Sequence, residues 1–172
     1  MTVSVEKKKD DRAIVVKMVL DSWKTQNARI DKFLAEVSDE QLAWPAVLGR
    51  NSALYVIGHL TAVTDGLLPI LGWGIRKYPD LEEVFITNPF DIKATLPTAA
   101  DVRQAWRRVN GIAEQKFGEV SPEEWFERHT SVTEEDFEKE PHRNRLNVII
   151  NRTNHQSYHL GQFALLLKKE EN

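Results

Sequence analysis

The sequence predicts an all-α fold, a four-helix bundle with a long crossover between its second and third helices. Three observations lead there. Four long segments place apolar residues every three or four positions, and nothing between them sustains an alternation of period two. The connection spanning residues 72–97 is far longer than the roughly 2–8 residues that join antiparallel bundle neighbours. It is long enough to cross the bundle and set helices two and three parallel. No repeat and no shift in composition divides the 172 residues, so one domain over 1–172 is expected.

The first segment carries Val15, Val19, Ser22, Gln26, Ile30, Phe33 and Val37 on one stripe, with Lys17, Lys24, Arg29 and Lys32 between them. It should end near Val37. There Ser38 and Gln41 have the spacing of a capping box for a new short turn, and Pro45 prevents continuation. The second runs from the N-cap candidate Ser52 to about Leu71, apolar on most faces through Val56, Leu60, Val63, Leu67 and Ile70. Its low charge invites a membrane reading, but His59, Asp65 and Pro69 interrupt it, and a buried helix of a soluble protein is expected. GWG at 72–74 reads as a turn.

The third segment starts at Thr98, whose hydroxyl can cap with Asp101 three places on, and continues through Val102, Ala105, Trp106, Val109 and Ile112 to about Gly118. Between 119 and 143 the patterns SPEE at 121–124 and SVTE at 131–134 predict short acidic helices. The fourth long segment runs from about Asn144 to Lys169, with apolar residues at both ends and lysines suited to a helix C-terminus.

Charge and composition remove several functions. With 23 basic and 26 acidic residues, a net charge of −3 and a pI near 6.0, the chain lacks the basic excess that nucleic-acid binding needs. It has no cysteine, which excludes a disulfide framework, a cysteine metal site and a thiol nucleophile of its own. The opening MTVSVEKKKDDR has no apolar core of a leader, so a cytoplasmic location is expected, with no membrane partner.

The informative anomaly is NRTNHQSYHLGQ at 151–162, polar on nearly every face between two apolar ends. A bundle helix must bury a stripe along its length, so some of these side chains point inward. Steps of three and four run Val148, Arg152, His155, His159, Gln162, Leu166, placing both histidines on one face. In the second helix His59 stands three residues after Val56 and four before Val63, on an apolar stripe as well. Imidazoles at i and i+4 can present nitrogens to one ion at about 2.0–2.1 Å, and a third from a neighbouring helix would complete three-coordination. Three imidazoles suit Zn, Ni, Fe or Cu. The other reading of these histidines is an ordinary one, ring nitrogens satisfied by hydrogen bonds inside a helical core.

The first amphipathic helix, the VSDEQL turn, SALYVIGHL at 52–60 and NHQSYHLGQFALL at 154–166 together resemble the DinB/YfiT-like superfamily of four-helix metalloenzymes, over residues 14–167. That resemblance places His59, His155 and His159 on the family's metal triad. It implies a bound divalent ion, zinc or nickel above all, a homodimer, and transfer of a low-molecular-weight thiol of the bacillithiol or mycothiol type to an electrophilic small-molecule substrate. Arg152, Gln162 and Gln26, on inward stripes, are candidates for holding polar parts of that substrate or for orienting an imidazole, and Tyr158 for donating a proton. Metal-assisted hydrolysis is the other enzymatic outcome of such a site. A non-catalytic homodimeric module, with a structural metal or buried histidines, is the alternative from another class.

Other patterns carry less. Ser157 has no nucleophile elbow, and His59 is not followed by the glutamate of a zincin motif. Asp65 lies about 120° around the helix from His59, away from the same site.

Overall fold

The computed structural model describes residues 11–44, 51–87 and 95–166. Helix α1 (Asp11–Glu36) buries Val16, Trp23, Asn27, Ile30 and Leu34, a seam at steps of three and four. The predicted stripe through Val15, Ser22 and Gln26 lies one residue, or ~100°, to one side. Val15 is 45% exposed, and Trp23 decides the orientation, since burying an indole removes far more apolar area than burying Ser22. Helix α2 (Asp39–Ala43) has the predicted capping box: Gln41 N–H donates to Ser38 Oγ at 3.1 Å, and Ser38 N–H to Gln41 Oε1 at 2.8 Å.

Helix α3 (Ala53–Asp65) is capped by Ser52 as expected and buries every side chain except those of Tyr55 and His59. It does not run unbroken to Leu71. Pro69 has no N–H for the carbonyl of Asp65 four residues earlier, and the helix interrupts at Gly66 before resuming as α4 (Leu67–Ile70). The window Ala53–Ile70 has the length and hydropathy of a membrane span, and 78% of it is buried inside this fold. Gly72 and Gly74, with φ of 75° and 124°, make the turn that GWG predicted. The chain then returns to α3. The buried carboxylate of Asp65 accepts the backbone N–H groups of Lys77 and Tyr78 at 2.9 Å, anchoring the start of α5 (Pro79–Glu82) and a π-helical turn (Glu83–Thr87). These turns pack on α3 within a connection that the sequence reading left without helices. The remainder of that connection, 88–94, lies outside the described residues, as does Pro45.

Helix α6 (Ala99–Glu119) is capped by Thr98, which accepts from Asp101 N–H at 3.2 Å, and it ends one residue past Gly118. The SPEE pattern gives only a 3-10 turn (Glu124–Phe126). The SVTE region gives α7 (Glu134–Lys139), capped by Thr133 rather than Ser131. Helix α8 (Arg145–Leu166) starts where Asn144 Oδ1 accepts from Asn147 N–H at 2.9 Å. The long helices close a ring, α1 on α8, α8 on α3, α3 on α6 and α6 on α1. The architecture is all-α. Among the described residues the only β-type pairing is an isolated bridge between Arg128 and Asn144.

A polar layer separates two apolar clusters. One holds Ile30, Leu34, Leu60, Trp106 and Phe163, the other Val16, Trp23, Phe117, Trp125 and Ile149. Between them Gln156 donates to Asn27 Oδ1 at 2.7 Å, Asn27 donates to Asn110 Oδ1 at 2.9 Å, and Asn110 donates to the Trp106 carbonyl at 2.9 Å. Three buried amides from α8, α1 and α6 thereby fix the relative register of those helices, as a single polar core position does in a coiled coil. Asn27→Ala leaves a donor of Gln156 and the acceptor of Asn110 unsatisfied. It is expected to cost ~2–4 kcal/mol in urea unfolding, and a cost below ~1 kcal/mol would show the layer to be energetically idle.

Candidate metal centre

His59 on α3 and His155 and His159 on α8 converge on one point. The Nε2 atoms of His59 and His155 are 3.2 Å apart, those of His155 and His159 are 3.0 Å apart, and one ligand atom from each ring lies within 4.8 Å of the others. All three rings are half-buried, so the cluster is neither sealed in the core nor loose on the surface. Its position follows from two stripes on α8. Leu146, Ile149, Thr153, Gln156 and Phe163 form the fully buried stripe, with Gln156 and Phe163 meeting α1. Val148, Arg152, His155, His159 and Gln162 form a neighbouring half-buried stripe, from which the imidazoles reach α3.

Hydrogen bonds fix the ring orientations. His59 Nδ1–H donates to the carbonyl of Phe85 at 3.0 Å, and His159 Nδ1–H donates to Gln162 Oε1 at 3.0 Å. In neutral rings this leaves both Nε2 lone pairs facing His155 Nε2. A single proton on His155 can satisfy only part of this arrangement, and its Nδ1 is buried without a partner. Nitrogens bound at about 2.0–2.1 Å to one tetrahedral ion lie ~3.3 Å apart, close to the 3.2 and 3.0 Å that separate His155 Nε2 from its two neighbours, while the third pair lies within 4.8 Å. Outward N–H groups held by a carbonyl and an amide, with lone pairs directed inward, are the arrangement that orients metal-bound histidines. The residues present therefore fit a divalent cation, and the donor set alone does not select which.

Two features of sequence outside the histidines build this geometry. Phe85 lies in the π-helical turn, a local widening that recurs at functional sites, and supplies the carbonyl for His59. Its ring lies against the backbone of Gly58, where a Cβ would come within 2.2 Å of Phe85 Cζ. The glycine before His59 is thus the space that admits the residue holding His59.

Burial pushes His155 down to about 4, with the neighbouring His159, His59 and Arg152 acting in the same direction, and burial also lowers His159. Both rings are neutral at pH 7, the form that ligates metal. In the metal-free protein the unfolded chain, with His155 near 6.5, binds more protons than the folded one between pH ~6.5 and ~4. The contribution of His155 to stability is thus constant above that window and falls as pH drops through it. Thermal unfolding of the metal-free protein should show a steeper loss between pH 6.5 and 4.5 than His155→Asn does, and equal slopes would contradict the assignment.

The sequence matches the DinB superfamily over residues 22–163, a span that contains all three histidines and most of the four long helices. The chain belongs to the DinB superfamily. A search of curated proteins finds no match to it. For a DinB superfamily member the fold is thus accounted for, and the histidine cluster is compatible with a metal site.

The other predicted site residues are distributed unevenly in this DinB protein. Gln162 sits beside the cluster as the acceptor for His159. Arg152 lies one turn before His155, half-buried, and its charge acts on that ring. Tyr158 stacks edge-on against His159, with ring centroids 5.1 Å apart, but is 64% exposed. Gln26 is half-buried on α1 and accepts from Arg29 at 3.4 Å, with no hydrogen bond to the histidines. Sequence reasoning missed the Phe85 carbonyl, which no side-chain pattern encodes, and Arg76, which reaches α3 from a loop. It also missed Asn27, although the 4-3 spacing through Trp23 and Ile30 carries that signal.

Proposed function

We propose that this DinB superfamily protein is a metal-dependent enzyme in which His59, His155 and His159 hold a divalent ion and a low-molecular-weight thiol is transferred to an electrophilic small molecule. The observation that carries the reading is the set of three imidazole nitrogens facing one another, with two of the rings fixed from behind by Phe85 and Gln162. Bound there, a divalent ion would supply Lewis acidity, which holds a small thiol in its thiolate form near neutral pH. The chain contributes no thiol of its own, having no cysteine, so the nucleophile comes from the co-substrate.

Partial burial of the three rings supports an open coordination position, because a purely structural site would be closed by a fourth protein ligand. No carboxylate joins the cluster among the described residues. In the transfer a sulfur–carbon bond forms as the bond between that carbon and its leaving group breaks. The leaving group departs with the electron pair of that bond, and the proton that the thiol has released passes to it or to solvent. In this reading Arg152, half-buried on the stripe of the histidines, holds a polar part of the substrate, and the exposed phenol of Tyr158, beside His159, exchanges that proton with solvent.

The test pairs metal analysis with turnover. Protein loaded with zinc or nickel is offered a panel of small thiols with a bimane electrophile, alongside metal-free protein. Thiol consumption that requires the metal is expected. Full metal content without thiol turnover would contradict transfer and favour hydrolysis or a structural metal in a non-catalytic homodimer.

A further inference from the structure

We infer that the same site binds a small carboxylate, carried by the substrate or by the thiol co-substrate, against the guanidinium of Arg152. The inference deepens the proposed function and rests on it for the identity of the reacting partners. It starts from an imbalance of charge. Arg76, Arg103, Arg143 and Arg145 each pair with a carboxylate, and Arg128 donates to a backbone carbonyl. Arg152, on the half-buried stripe one turn before His155, has no ion pair or hydrogen bond among the described residues, and its Nε is buried without an acceptor. A guanidinium partly removed from water, with its Nε buried and no counter-charge, is costly, and such a group is completed by an anionic ligand.

The surroundings sharpen the requirement. Burial and the charge of Arg76 both act against Arg152 holding its proton, so the neighbouring cation raises the demand for an anion. Arg76 cannot turn away, because its Nη1 donates to the Ala62 carbonyl at 2.8 Å and its Nη2 pairs with Glu82 at 2.6 Å. It also lies over Gly66, where a Cβ would meet Nη2 at 3.0 Å. The histidines bring no negative charge. A carboxylate offers two oxygens to the guanidinium fork, which makes it the matching small anion. A ligand with a thiol for the histidine cluster and a carboxylate one helical turn away satisfies both needs.

Cobalt(II)-loaded protein reports thiol binding through its absorption spectrum, so mercaptoacetate can be compared with uncharged mercaptoacetamide at fixed ionic strength. Wild type is expected to bind the carboxylate at least tenfold more tightly, Arg152→Met to lose that preference while keeping its cobalt, and Arg152→Lys to keep part of it. Equal affinities in wild type, or an unchanged preference in Arg152→Met, would overturn the inference. If wild type takes up no cobalt, the metal reading fails by itself, and the carboxylate arm is read on metal-free protein by titrating acetate against acetamide. Saturable acetate binding that Arg152→Met loses supports the inference there, and its absence overturns it. Arg152→Met removes an unpaired, half-buried charge and is expected to unfold at a temperature no lower than wild type. Should it fail to fold, Arg152→Lys supplies the comparison.

Discussion

His155→Ala is expected to abolish stoichiometric metal binding while leaving the metal-free fold nearly intact. His155 is the ring that both other histidines face, so its removal leaves two nitrogens with no ligand atom between them. Losing an outer partner of a metal ligand typically costs ~10–100-fold in affinity, and losing a ligand should exceed that range. The loss is also readable as stability. At a metal concentration of about 100 times Kd the wild type gains ~2.7 kcal/mol, or ~5–10 °C in Tm for a chain of this size, and the variant should gain under a third of that. Without metal the two proteins should unfold within a few degrees of each other, because His155 is only half-buried and its Nδ1 already lacks a partner. An equal metal-induced shift in both would remove His155 from the site.

Gly58→Ala is the second large effect, and it acts without touching a ligand. The added methyl would stand 2.2–2.6 Å from three ring atoms of Phe85, closer than any real contact, so the ring must shift, and because Phe85 is buried the π-helical turn that carries it is expected to move as well. Overpacking of this kind costs ~1–3 kcal/mol, against which alanine recovers up to ~1 kcal/mol of helix propensity over glycine. The functional consequence is larger. Displacing Phe85 takes its carbonyl from His59 Nδ1–H, and metal affinity should fall ~10–100-fold with all three histidines still present. Combining the change with Phe85→Ala should cost less than the two separate losses added together, because the clash is then gone. Wild-type metal affinity in Gly58→Ala would show that the Phe85 contact does not hold the ring.

The helices were legible because their ends are written in local chemistry. Ser38 and Thr98 cap where their spacing to Gln41 and Asp101 indicated, and the N-cap candidate Ser52 accepts from Tyr55 N–H. The histidine triad was legible for a similar reason, since i to i+4 spacing on α8 is fixed by helix geometry and His59 stood on an apolar stripe of α3. What remained hidden depends on tertiary packing. The rotation of α1 was decided by the size of Trp23, which a count of apolar positions does not weigh. The break before Gly66 follows from Pro69, whose effect falls four residues upstream of itself. The acceptor for His59 is a backbone carbonyl 26 residues later, and any side chain at position 85 would carry one. The charge of Arg76, on a loop, acts on Arg152, on a helix, an influence that no spacing rule reports.

X-ray absorption at the zinc edge of the loaded wild-type protein tests the central claim most directly. Three imidazole nitrogens at about 2.0–2.1 Å are expected, with a light-atom ligand replaced by sulfur near 2.3 Å when a small thiol is added. A shell containing fewer than three imidazoles, or one that no thiol alters, would contradict an open three-histidine centre built from His59, His155 and His159.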